Sequence, residues 1–83
     1  MNAPERIGRH LWVRAIPDAR EVTGRPEWEV LAKDETPLAI VEWYPKWRCY
    51  VLRANRGTVW SDDCLADVSR WMATRTAFER AKP

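Results

Sequence analysis

Apolar and polar residues alternate along most of the first sixty positions and then change to a helical spacing. Residues 10–16 place Leu11, Val13 and Ala15 on one side of an extended chain and Trp12, Arg14 and Ile16 on the other, and Pro17 ends the run. Residues 18–26 hold Gly24 and Pro26 among charges and read as a loop. Residues 28–33 alternate again, with Trp28, Val30 and Ala32 inward and Glu29, Leu31 and Lys33 outward. After the turn residues 34–37 comes the most strand-like stretch, 38–44. There Ala39, Val41 and Trp43 oppose Leu38, Ile40, Glu42 and Tyr44. Residues 44–47 form a tight connection, 48–53 return antiparallel, and a turn with Asn55 and Gly57 leads to a short strand at 58–60.

At Ser61 the period changes. A serine can cap a helix by accepting a hydrogen bond from a free backbone N–H, and Asp62 and Asp63 follow where the helix dipole favours negative charge. Cys64, Leu65, Val68, Trp71, Met72 and Phe78 fall within an arc of roughly 140°, a core-facing stripe. Arg75 lies in that arc and is expected to snorkel where the helix overruns the sheet edge, while Asp67, Arg70 and Thr74 form the polar face. The predicted fold is α+β: an antiparallel sheet of four to five strands followed by one C-terminal amphipathic helix packed on one face. Ala39, Val41, Trp43, Trp47 and Val51 are assigned to the helix side. Residues 1–8 read as a disordered tail and 9–83 as a single domain.

A chain of 83 residues has room for one thin core, and six tryptophans compensate because each large aromatic buries roughly 150–250 Å². The charge balance is 14 basic against 12 acidic residues, a formal +2, short of a strongly electrostatic nucleic-acid binder. There is no apolar run of spanning length and the N-terminus has no secretory h-region, so a cytoplasmic location is expected, with Cys49 and Cys64 as buried free thiols. With His10 as the only histidine and no Cys-x-x-Cys pair, no metal or other cofactor is expected.

Catalytic residues are not expected either. Asp62 and Asp63 are accounted for as helix N-terminal charges, and Glu42 as the cross-strand partner of Arg48 or Arg53. Cys64 has no nearby base, and Gly8, Gly24 and Gly57 are too scattered for a phosphate loop. What packing leaves over is the aromatic and basic interleaving of Trp43, Tyr44, Trp47, Arg48 and Tyr50 around one hairpin. Tyr44, Lys46, Arg48 and Tyr50 are the expected partner-binding residues, since Tyr, Trp and Arg dominate protein interface hot spots. The alternative is nucleic acid, with rings stacking on unpaired bases and arginines meeting phosphate. Self-association through an edge strand or Trp patch is a third reading.

The string Glu42-Trp43-Tyr44-Pro45-Lys46-Trp47-Arg48-Cys49-Tyr50, then Gly57-Thr58-Val59-Trp60-Ser61 and Cys64-Leu65-Ala66-Asp67-Val68, resembles a group of short phage- and prophage-encoded proteins. These read Trp-Tyr-x-x-Trp-Arg-x-Tyr, then Thr-Val-x-Ser-x-x-Cys-Leu-x-Asp-Ile. The likeness covers about residues 28–72; Ala39 replaces an expected Gly, and Cys49 a common Gln. It implies a mobile-element context and a small protein-binding module that modulates or inhibits a host enzyme or defence complex. In architecture, three antiparallel strands leading into a helix are similar to integrase-type and plant ethylene-response-type DNA-binding domains. That likeness implies DNA contacts by Arg48, Arg53 and Arg56.

Overall fold

A computed structural model describes residues 3–82. In chain order the elements are β1 (Glu5–Arg6), β2 (Trp12–Ala15), α1 (Ala19–Thr23), β3 (Trp28–Leu31), β4 (Pro37–Tyr44), β5 (Cys49–Ala54) and α2 (Asp62–Arg80). The five strands form one antiparallel sheet in the order β1-β2-β3-β4-β5, and α2 packs on one face, which is the α+β arrangement expected from the residue pattern. Each strand pairs with its neighbour in sequence, as short connections favour.

Cross-strand pairing sorts the two faces. Val13, Val30 and Ala39 lie in one row, and Trp28, Val41 and Leu52 in the next, with Trp43 opposite Tyr50. These residues meet Val68, Trp71 and Met72 of α2 in the core. Trp28 is its hub: its ring stands edge-on to Trp71 at 4.9 Å and to Tyr50 at 5.4 Å, and Tyr50 is edge-on to Trp43 at 5.2 Å. Such T-shaped pairs add to the area they bury.

α2 begins as the capping pattern dictates, with the Cys64 N–H donating to Ser61 Oγ at 3.1 Å. Its stripe is narrower than expected, however. Leu65 and Phe78 are more than half exposed. Arg75 does not overrun the sheet; its guanidinium lies over the Trp28 ring, 4.8 Å from the centroid. The last turn instead buries Glu79, paired with Lys82 at 3.0 Å and Arg25 at 3.7 Å.

Four further expectations are corrected. Of the tail at 1–8, Glu5 and Arg6 pair with Val13 and Trp12 and form an edge strand; Met1 and Asn2 lie outside the described residues. The loop at 18–26 contains α1, which ends at Gly24 with a left-handed φ of 84°. No strand forms at 58–60: Thr58 N–H donates to Asn55 C=O, and the Trp60 indole N–H donates to Thr58 Oγ1. Leu31, placed outward by strict alternation, pairs with Trp12 and stands outside the helix-side core cluster, yet it is fully buried. The register shift beside it places the extra residue in β4, at Leu38, between the pairs Val30–Ala39 and Leu31–Pro37.

The N-terminal segment is tied to α2 by Asp67, whose carboxylate accepts from Arg9 N–H at 3.2 Å and from Arg70 Nη1 at 3.1 Å. Those two bonds hold its pKa below the usual carboxylate range. Gly8 lies so close that a Cβ there would collide with the Asp67 side chain, including its Cβ at 2.7 Å. Gly8→Ala is therefore expected to cost about 1–3 kcal/mol, the usual range for overpacking. A lowered denaturation midpoint in urea would register it; an unchanged midpoint would show that β1 and Asp67 move apart freely.

Candidate functional site

Pro45 starts the β4–β5 connection. It presets the backbone for the second position of a turn, and the chain then reverses through Lys46, Trp47 and Arg48. Trp47 N–H donates to Tyr44 C=O at 3.2 Å and Arg48 N–H to Pro45 C=O at 3.3 Å. Arg48 closes the loop with φ of 52°, a left-handed conformation costly for a residue other than glycine. The cost is met from α2: Arg80 Nε donates to Arg48 C=O at 2.6 Å and Arg80 Nη2 to Trp47 C=O at 3.2 Å. Arg80 is a positioning residue that hydrophobic periodicity does not mark; its one sequence signal is a basic residue in the last helical turn.

This loop is four residues, 45–48, and that count decides which side chains face out. Tyr44 pairs with Cys49, so Trp43 pairs with Tyr50 and Glu42 with Val51. Tyr50, expected on the outer face, is therefore a core residue, 4% exposed. Its hydroxyl donates to Pro26 C=O at 3.0 Å, and burial, reinforced by the Glu79 charge, pushes its pKa up to about 12. Trp47 and Val51, expected against the helix, are not there. Trp47 is 66% exposed at the hairpin tip, and Val51 lies half-buried on the open face of the sheet.

Of the other expected partner-binding residues, Tyr44 lies on the open face, its ring edge-on to Trp47 at 4.7 Å. Lys46 and Arg48 are exposed in the turn beside it. Tyr44, Trp47, Val51 and Arg53 line a shallow recess of about 270 Å³. The expected nucleic-acid contacts are not brought together. Arg56 sits in the turn at the far end of β5, eight positions from Arg48, a span of up to roughly 26 Å at strand rise. Arg53 is paired with Glu42, the expected cross-strand partner, and Arg14 on the same face is shared between Glu29 at 3.2 Å and Glu35 at 3.0 Å. Burial, with the Glu42 charge added, pushes the Glu27 pKa up.

Cys49 and Cys64 are half-buried free thiols. Among the described residues no three His, Cys, Asp or Glu side chains cluster to hold a metal ion, and no helix is long and apolar enough to cross a membrane. In comparisons with protein families, curated proteins and solved structures, the chain has no significant match.

Proposed function

We propose that the chain is a small, non-enzymatic protein-binding module of phage or mobile-element origin, acting in the cytoplasm on a host enzyme or defence complex. The observation that supports this reading is the two-thirds-exposed Trp47, held edge-on to Tyr44 at the tip of a hairpin whose backbone Arg80 secures. An indole left in water on a fixed turn, with Tyr44, Lys46 and Arg48 around it, has the composition and preorganisation of an interface anchor. The mobile-element context rests on the resemblance of the hairpin string and the Thr58-to-Val68 segment.

The nucleic-acid reading draws less support. A stacking ring is present in Trp47, but Arg14 and Arg53 on the open face already face carboxylates. Phosphate binding there would have to displace Glu29 or Glu42. A gel-shift assay at two salt concentrations separates the readings: retardation at low salt that vanishes at high salt would favour nucleic acid.

For the protein-binding reading, Trp47→Ala and Lys46→Ala are expected to leave thermal stability within about 0.5 kcal/mol, as exposed positions do. Trp47→Ala is expected to weaken capture of a host partner by at least about 2 kcal/mol, or thirtyfold. Undiminished capture by Trp47→Ala would refute the hairpin tip as the contact.

A further inference from the structure

On the other side of β5 is a second surface with a different chemistry. β5 is an edge strand, paired among the described residues with β4 alone. Asn55 N–H donates to Leu38 C=O, which continues the ladder of odd-numbered residues bonded to β4. The even-numbered residues therefore direct their N–H and C=O groups away from β4, toward the open edge. α2 satisfies one of these, the Tyr50 N–H, which donates to Thr76 Oγ1 at 3.0 Å. Leu52 presents its groups to a groove of about 600 Å³ between β5 and α2, and those of Ala54 lie on the same open edge just past the groove. Its helix wall is apolar and low, built from Leu65, Met72, Ala73 and Ala77, with Leu52 on the strand side.

One end of this groove is basic. Arg80 lines it, and after its two bonds to backbone carbonyls the guanidinium still has N–H groups to give. Arg48, exposed in the turn whose carbonyls Arg80 holds, lines the neighbouring recess with Lys82. Neither arginine has a carboxylate partner among the described residues. The charge pattern also discriminates between occupants. A second copy adding its own β5 antiparallel, with the two-fold at Leu52, would set Arg48 opposite Arg56 at each end. Like charges so placed oppose that pairing.

We propose that the β5–α2 groove binds an extended segment of another protein as a sixth strand, with apolar side chains at alternate positions facing α2 and a carboxylate at the Arg80 end. Main-chain hydrogen bonds to Leu52 and Ala54 supply affinity, and the groove and Arg80 supply selectivity. This site does not depend on the hairpin tip being a contact, since the groove does not include Trp47.

A displayed library of random peptides of about twelve residues, selected against the intact protein, tests the proposal. Selected peptides are expected to alternate apolar residues and to carry an acidic residue or free C-terminal carboxylate at one end. On binding, amide hydrogen exchange at Leu52 and Ala54 is expected to slow by about tenfold or more. Ala73→Glu, on the exposed helix wall, should weaken those peptides by about tenfold or more while Trp47→Ala leaves them within about twofold. Selection of no such sequences, or binding that leaves the exchange of Leu52 and Ala54 unchanged, overturns the proposal. So does a dimer in which those amides are already protected without peptide, because the occupant would then be a second copy.

Discussion

Trp28→Ala is expected to remove a large share of the stability of the molecule. The ring is buried at the start of β3, edge-on to Trp71 and Tyr50 and covered by the Arg75 guanidinium. Truncating a buried tryptophan costs about 3–5 kcal/mol in lost transfer energy and residual cavity. A domain of this length has a total of about 4–12 kcal/mol to lose. Two elements meet at this ring, so α2 cannot collapse into the space without leaving β5. The expected result is a fall in melting temperature of about 15–30 °C, with loss of near-ultraviolet circular dichroism before far-ultraviolet signal. Trp28→Phe keeps an aromatic edge and should cost roughly half as much. A Trp28→Ala protein melting within a few degrees of the parent would show that the sheet and α2 hold together without this hub.

Tyr50→Ala is expected to be nearly as damaging, about 3–4 kcal/mol, because the ring joins Trp28 to Trp43 and its hydroxyl holds Pro26. Tyr50→Phe isolates the hydroxyl and should cost about 1 kcal/mol for the lost bond to a carbonyl. It also carries a pH signature. The folded state raises the Tyr50 pKa from 10.0 to about 12, so the neutral phenol is favoured when folded. Between those values the unfolded chain loses its proton and the folded chain keeps it. Stability is thus intact below pH 10 and declines as pH rises toward 12, by about 2–3 kcal/mol. In denaturant titrations the difference between parent and Tyr50→Phe should shrink over that window and reverse at its upper end. A difference constant with pH would mean that the phenol is solvated in the folded state.

These two substitutions also bound the functional reading. Loss of partner capture in a Tyr50 variant reports unfolding of the core, whereas loss in Trp47→Ala, where the ring stands in water, reports contact. Between them lies Arg80, which secures the hairpin backbone and lines the groove beside β5. A single helix terminus therefore organises both candidate surfaces, the aromatic tip and the open strand edge.

Much of the architecture is legible in local sequence. Alternation in residues 12–15, 28–30 and 38–44 reproduces the helix-side residues Val13, Trp28, Val30, Ala39 and Val41, because a strand with one buried face imposes a period of two. Ser61 followed by Asp62 and Asp63 marks the start of α2 because capping is satisfied within three residues. Tyr44, Lys46 and Arg48 are also at the surface side of the hairpin, as their residue types imply.

What the tertiary structure alone decides are the parities and the distant partners. Whether Tyr50 or Val51 faces α2 turns on one residue in the loop 45–48, and that residue is Arg48 in a left-handed conformation held by Arg80, 32 positions along the chain. Leu31 is buried on the side that alternation calls outward, Glu5 and Arg6 are a strand because β2 offers an edge, and Arg75 lies on Trp28 because the side chains of α2 reach that ring. Periodicity is a property of neighbours and can be read from the chain. Register, edge pairing and the groove between β5 and α2 depend on residues that meet only when the chain has folded.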